Sequence, residues 1–101
     1  MKEIDWSSLS FGYMKTDYNV RCWYRNGAWG EIEVSSEETL NIHMAATCLH
    51  YGQEAFEGLK AYRCPDGKVR VFRMDENAAR LQSSCRGIMM PELPTELFEA
   101  M

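Results

Sequence analysis

The sequence lacks long apolar segments and an excess of basic residues. No apolar run approaches the ~18 residues of a membrane-spanning helix, so we expect no membrane partner. Acidic residues (15) outnumber lysines and arginines (11), and the net charge of −4 argues against a nucleic-acid partner, which needs a basic face. The opening residues, MKEIDWSSLS, contain no apolar core of a secretory signal, so a cytoplasmic location is expected.

Metal-binding and disulfide patterns are also missing. No two of the four cysteines have C-x-x-C spacing, which argues against a zinc site and against a thioredoxin-like redox site. Without a secretory signal we expect four reduced and mostly packed thiols. His43 and His50 do not have the spacing of metal ligands either, so no metal site is predicted.

The length of 101 residues suits one small domain, and we expect a single domain over residues 1–101. Hydrophobic residues make up 46% and charged residues 26%, the balance of an ordinary globular protein. The final residues, PELPTELFEAM, have the pattern of a helix start with Thr95 as N-cap, and no helix stop follows. This pattern predicts a fragment that is truncated partway through a helix.

Two β-hairpins are predicted from turn residues. Asn26-Gly27 lies between aromatic-rich flanks within residues 21–34, and a type I′ turn needs residues that tolerate positive φ at both central positions. The turn Pro65-Asp66-Gly67 joins residues 59–63 to residues 68–73 in a second hairpin. A short strand or extended segment is expected near residues 42–44.

Helical patterns complete the predicted fold. Apolar residues at 74, 78, 81, 85 and 88 predict an amphipathic helix over residues 74–88, which Gly87 and Pro91 end. Residues 45–56 have helix-forming composition interrupted by Gly52, which predicts two short helical turns. The order of elements indicates an α+β fold, in which antiparallel hairpins form a sheet with helices packed on it.

One polar stripe on this predicted helix is a candidate anion site. Asn77, Arg80 and Ser84 lie beside its apolar face, in the segment FRMDENAAR and just after it. The planar fork of an arginine suits bidentate phosphate binding, which a lysine cannot reproduce. From the pattern alone, an ordinary solvated helix arginine is the alternative.

The segment LHYGQEAFEGLKAYR, residues 49–63, together with FRMDENAAR, resembles the branched-chain amino acid aminotransferases, which are pyridoxal-phosphate enzymes of fold type IV. The resemblance extends from Phe11 through nearly the whole chain and implies their amino-terminal small domain. It also implies that Arg80 binds the phosphate of pyridoxal 5′-phosphate, since it follows Phe72-Arg73 at the family's spacing. Family members often have proline where this chain has Met74.

The same resemblance implies a set of substrate-binding residues. Tyr51, Phe56 and Gly58 correspond to residues that line the pocket for the branched side chain, where each buried methyl group is worth about 1 kcal/mol. Phe11, in FGYMKTD, is a further candidate for that pocket, and Lys60 is a candidate for a residue near the substrate carboxylate. Core packing is the alternative for the two aromatic residues 51 and 56, and an exposed strand lysine is the alternative for Lys60.

Two other residues of the motif are expected to have structural roles. Glu57 is interpreted as a residue that fixes the local backbone rather than an acid–base group. His50 is interpreted in the same way, as a hydrogen-bonding residue next to Tyr51.

An expected catalytic residue is absent. In the family, the lysine that forms the Schiff base lies in the carboxy-terminal large domain, and none of the four lysines at 2, 15, 60 and 68 matches it. The resemblance implies a full-length protein that transfers the amino group of Leu, Ile or Val to 2-oxoglutarate in branched-chain amino acid biosynthesis. It also implies that this protein is a homodimer or a higher oligomer. The 101-residue chain alone is predicted to be inactive.

Two alternatives remain open at this point. Another fold type IV enzyme, a D-amino acid aminotransferase or an aminodeoxychorismate lyase, would keep a similar phosphate arginine but usually lacks the H-Y-G-x-x-x-F-E-G-x-K run. From a different class, the isolated chain could be a non-catalytic self-association module.

Overall fold

The computed structural model describes residues 3–101 and has the predicted α+β composition. Contacts divide the chain into two compact units, one ending at Ile42 and one running from His43 to Met101. After a 3-10 turn at Trp6–Ser8, the elements are β1 (Asn19–Arg25), β2 (Ala28–Ser35), α1 (Thr47–His50), β3 (Ala61–Arg63), β4 (Val69–Val71), α2 (Met74–Gly87) and α3 (Thr95–Ala100). The antiparallel hairpins are confirmed, and they form two separate two-stranded sheets.

The first unit contains the β1–β2 hairpin. Its turn residues Asn26 and Gly27 have φ values of 53° and 79°, the positive values that a type I′ turn requires, and Arg25 pairs with Ala28 across the turn. The register shifts between Cys22 and Tyr24. The predicted hairpin is therefore confirmed, with an irregularity in β1 that its turn residues do not reveal.

The second unit contains the shorter β3–β4 hairpin. Ala61 pairs with Val71, and each strand has three residues, fewer than the pattern suggested. Asp66 stabilises the turn because its Oδ1 accepts from the Lys68 backbone N–H at 3.0 Å. Its two carboxylate oxygens also accept from the Arg70 guanidinium at 3.0 and 2.6 Å.

The stretch before this hairpin differs from the prediction. No strand forms at residues 42–44, and one helical turn, α1, replaces the two expected between residues 45 and 56. Gly52 has a φ of 64°, which ends the helical geometry and turns the chain into an extended segment.

Helix α2 is the main element of the second unit. It begins after Arg73, whose backbone is left-handed with a φ of 51°, and it carries Asp75 and Glu76 in the first turn as the sequence predicted. Ala78 and Cys85 are the two buried apolar residues among those the structure describes. They lie seven positions apart on one helix face, so the core is narrow and follows α2.

The end of α2 is a Schellman motif. The N–H of Met90 donates to the Cys85 carbonyl at 2.9 Å, and the N–H of Met89 donates to the Arg86 carbonyl at 3.2 Å. Met89 occupies the left-handed position with a φ of 60°, where glycine is usual. Gly87 instead lies inside the helix as its last residue.

Helix α3 packs against α2 through a polar contact. The Gln82 side-chain amide donates to the Leu93 carbonyl at 2.9 Å and to the Thr95 hydroxyl at 3.1 Å. Thr95 is the first helical residue and Pro94 takes the N-cap position, so the prediction of Thr95 as N-cap is wrong. The Thr95 hydroxyl accepts from a neighbouring helix rather than capping its own.

Candidate functional site

The segment after α1 runs along α2 in the opposite direction. At the carboxy-terminal end of the helix, the Gln53 side-chain amide donates to the Ile88 carbonyl at 2.9 Å. Nearer the amino-terminal end, Asn77 Nδ2 donates to the Gly58 carbonyl at 3.1 Å. These two contacts hold residues 53–58, the centre of the segment LHYGQEAFEGLKAYR, against α2.

Between these contacts, Glu57 and Arg80 form an ion pair. Arg80 Nε donates to Glu57 Oε2 at 2.6 Å, and Arg80 Nη2 pairs with Glu57 Oε1. Asn77 Nδ2 donates to the same Oε1 at 2.8 Å. The Glu57 side chain is only 3% exposed, whereas the Arg80 side chain is 69% exposed. We call these three residues the Glu57 clamp.

The clamp changes the protonation chemistry of its carboxylate. Hydrogen bonds from Arg80, and then from Asn77, lower the pKa of Glu57 from 4.5 to about 2. The same carboxylate raises the pKa of Arg80. Both groups are therefore charged at neutral pH, and Glu57 is unsuited to general acid–base catalysis there.

The exposed part of Arg80 has the donors that an anion needs. A guanidinium carries five N–H groups, and Glu57 accepts from two nitrogens along one edge of the fork. The remaining donors lie on a side chain that is mostly exposed. This donor set fits the oxygens of a phosphate group, which an arginine can bind with two parallel hydrogen bonds.

An open groove of about 600 Å³ lies beside the clamp. Its lining combines residues around Gly58 with residues from the second hairpin and the start of α2: Gly58, Leu59, Lys60, Tyr62, Phe72, Arg73, Glu76 and Asn77. Asn77 therefore belongs to both the groove and the clamp. A Cβ added at Gly58 would meet nothing within 4 Å, so packing within the described chain does not require glycine there.

The other predicted substrate residues are not part of this groove lining. Tyr51 and Phe56, in the same unit, are 84% and 92% exposed. Core packing of these two aromatic residues within the described chain is therefore excluded. Phe11 belongs to the first unit and is fully exposed.

Sequence reasoning missed the pairing of Glu57 with Arg80. The sequence pattern places Asn77 and Arg80 as neighbours on a helix face and predicts only a backbone-fixing role for Glu57. The one sequence feature that indicated an ion pair was Glu57 itself, an acidic residue directly before Gly58 in a segment that contains both acidic and basic residues. It did not specify which of the nearby arginines the acid would contact.

The two histidines contact the nearby backbone, and the cysteines form no disulfide. His50 Nε2 lies 2.6 Å from the Met44 carbonyl oxygen, and His43 Nδ1 accepts from the Ala45 N–H at 3.0 Å. All four cysteines are free in the structure; Cys85 is buried, whereas Cys22, Cys48 and Cys64 are partly exposed. Over residues 3–101, no cluster of potential metal ligands is present and no helix has the length and apolar character for a membrane crossing.

Comparison with known proteins places these features in context. No protein-family model matches the chain. Over 97% of its length it is 49% identical to the branched-chain-amino-acid aminotransferase of Haemophilus influenzae and 47% identical to that of Helicobacter pylori. It is 38% identical over 93% of its length to the aminotransferase atnJ of Emericella nidulans.

The matched region is only part of each relative. The chain spans 29% of the length of the Haemophilus and Helicobacter proteins and 26% of the Emericella protein. The match to the Haemophilus protein nevertheless includes 98 residues of the chain. By sequence, nearly the whole chain is therefore similar to one segment of branched-chain-amino-acid aminotransferases.

Proposed function

We propose that this chain is the amino-terminal small domain of a branched-chain amino acid aminotransferase that uses pyridoxal 5′-phosphate. The observation that carries the proposal is Arg80, whose guanidinium is held along one edge while its other donors are exposed. A groove that includes two of the expected substrate residues, Gly58 and Lys60, lies beside it. The identity of 47–49% to enzymes with this name supports the same assignment.

In this proposal, Arg80 holds the cofactor phosphate. The cofactor, when bound, supplies the electron sink for amino-group transfer, and the protein supplies binding and orientation. Gly58 and Lys60 line the substrate side of the groove. Tyr51 and Phe56 would complete the apolar wall for a branched side chain once other parts of the full-length protein cover them. Phe11 remains a proposed substrate-binding residue on the basis of the resemblance alone.

The proposed reaction is the transfer of the amino group of Leu, Ile or Val to 2-oxoglutarate. It would take place in a cytoplasmic homodimer or higher oligomer that serves branched-chain amino acid biosynthesis. Because no lysine of this chain matches the family's Schiff-base lysine, we propose that the remainder of the full-length protein provides it. The 101-residue chain alone would then lack activity.

A second candidate is another amino-group-transferring enzyme of the same fold type. The chain is 38% identical to the Emericella relative, which is named only as an aminotransferase. Because that name specifies no branched-chain substrate, it supports this second candidate. A D-amino acid aminotransferase or an aminodeoxychorismate lyase would use the same phosphate arginine with a different substrate.

Substrate profiling of the full-length protein tests the proposal. We expect transfer from L-leucine, L-isoleucine and L-valine to 2-oxoglutarate that depends on added pyridoxal 5′-phosphate. Transfer from D-alanine, or pyruvate release from aminodeoxychorismate, without turnover of the three branched-chain amino acids would replace the proposal with the second candidate.

A further inference from the structure

We propose that Glu57 and Asn77 are positioning residues that orient Arg80 towards the cofactor phosphate. This inference rests on the proposed function, because it takes Arg80 as the residue that holds that phosphate. Neither residue needs to touch the cofactor to have this effect. They act through the guanidinium, and the role follows from how the three side chains share their hydrogen bonds.

Glu57 fixes the plane of the Arg80 guanidinium. Glu57 accepts from Arg80 through both of its oxygens, and both donors lie on the Nε edge of the fork. Two bonds along one edge fix the rotation of the planar group as well as its distance. An arginine that is 69% exposed would otherwise sample many rotamers, and ordering it would cost side-chain entropy when the anion binds.

Asn77 fixes the position of the Glu57 carboxylate. Asn77 lies three residues before Arg80 on α2, so the two side chains are neighbours on one face. Its amide contacts both Glu57 Oε1 and the Gly58 carbonyl. The carboxylate is thus tied to the helix that carries Arg80 and to the backbone at the edge of the groove, and its side chain is 3% exposed.

Positioning and simple charge balance make opposite predictions. Glu57 carries a negative charge beside the proposed phosphate site, so by Coulomb repulsion alone its removal should strengthen anion binding. If its main effect is to orient Arg80, removal should weaken binding despite the loss of that repulsion. The sign of the change in affinity therefore separates the two effects.

The test uses the dialysed full-length protein, titrated with pyridoxal 5′-phosphate. We expect Glu57→Ala to raise the cofactor dissociation constant by about tenfold, as loss of a ligand-orienting group does at metal sites. Glu57→Gln, which keeps one acceptor oxygen, and Asn77→Ala should give smaller increases. Asp75→Asn is the matched control, since Asp75 lies on α2, pairs with Arg73 and is not part of the groove lining, and it should leave the constant within about twofold.

A second readout separates positioning from loss of folding. The ³¹P resonance of the bound cofactor should shift in Glu57→Gln and Asn77→Ala, and thermal unfolding identifies any variant that fails to fold. Unchanged or tighter binding in folded Glu57→Gln and Asn77→Ala, with an unmoved phosphate resonance, would overturn the inference. If Arg80→Lys and Arg80→Ala also bind normally, the phosphate role itself fails; if only the Arg80 variants weaken binding, the positioning role alone fails.

Discussion

Single residues of the site are coupled, and Arg80 cannot be substituted without affecting Glu57. The Glu57 carboxylate is covered and depends on Arg80 and Asn77 for its hydrogen bonds. A covered carboxylate without its cation is unfavourable, since it loses water without gaining a partner. Any Arg80 variant therefore changes both the exposed donors and the support of the motif segment.

Loss of Arg80 should weaken cofactor binding before it affects chemistry. In the full-length protein, Arg80→Ala should raise the pyridoxal 5′-phosphate dissociation constant about tenfold or more, because hydrogen bonds to a charged group are lost. Arg80→Lys should recover only part, since an ammonium lacks the fork. Titration of the dialysed protein measures the effect.

Arg73 is the internal control for this prediction. It lies seven residues earlier and pairs with Glu76 and Asp75. Equal effects of Arg73→Ala and Arg80→Ala on cofactor affinity would contradict the phosphate assignment. The double variant Glu57→Gln with Arg80→Ala removes the uncompensated carboxylate and so isolates the loss of the arginine itself.

The lowered pKa of Glu57 predicts a specific acid sensitivity. Because the folded-state pKa is about 2 and the ordinary value is 4.5, the ionised carboxylate stabilises the fold fully above pH 4.5. That contribution is lost as the pH falls through about 2. The difference in unfolding free energy between the wild-type chain and Glu57→Gln should therefore shrink from pH 5 to pH 2. Urea unfolding at several pH values measures it, and a difference that does not change with pH would refute the prediction.

Among the elements, α2 carries two residues of the site. The residue types at its carboxy-terminal end are unfavourable for the backbone conformation there. The helix carries Asn77 and Arg80 of the clamp, together with the buried residues Ala78 and Cys85. At its end, a methionine occupies the left-handed position while a glycine lies inside the helix. Both placements are less favourable than the reverse arrangement, because glycine tolerates positive φ and costs conformational entropy in a helix.

Exchanging the residue types at this helix end should stabilise the chain. Gly87→Ala should raise the free energy of unfolding by about 0.5–1 kcal/mol, since an added Cβ meets nothing within 4 Å and Gly87 has no positive φ. Met89→Gly should also stabilise, because Met89 is 89% exposed and loses little packing. Denaturant unfolding of the 101-residue chain measures both.

Gly27→Ala provides the opposite control. Gly27 has a φ of 79° in the β1–β2 turn, so an alanine there should destabilise the chain by about 1 kcal/mol or more. If all three substitutions changed stability in the same direction, the account based on backbone conformation would be wrong.

At the scale of the whole chain, apolar exposure is the dominant feature. Two residues in the described range are buried apolar residues, while several large aromatic side chains are exposed, including Phe11, Tyr51, Phe56 and Phe72. Exposed apolar surface of this kind tends to associate. In the proposed enzyme, other parts of the protein or a second subunit would cover it.

The isolated chain should therefore self-associate. We expect sedimentation velocity to show a dimer or larger species at high protein concentration. The double variant Tyr51→Ser with Phe56→Ser should shift the population towards monomer, whereas Glu76→Gln should not. A strictly monomeric wild-type chain at millimolar concentration would contradict this expectation.

The isolated chain should also be catalytically inactive. Incubation with leucine, 2-oxoglutarate and pyridoxal 5′-phosphate should give no glutamate above the protein-free rate, since no lysine of the chain matches the family's Schiff-base lysine. Turnover proportional to the amount of chain would refute this prediction.

The sequence by itself determined the features that depend on neighbouring residues. The Asn26-Gly27 turn follows from tolerance of positive φ, and the helix Met74–Gly87 follows from apolar spacing. The similarity to branched-chain-amino-acid aminotransferases follows from two motifs in their correct order. Only the tertiary structure decided that Glu57 pairs with Arg80, 23 positions away, and that the aromatic residues of the motif are exposed. The physical reason is that a local pattern specifies backbone conformation, whereas the partner of a charge and the burial of a ring depend on which segments pack together.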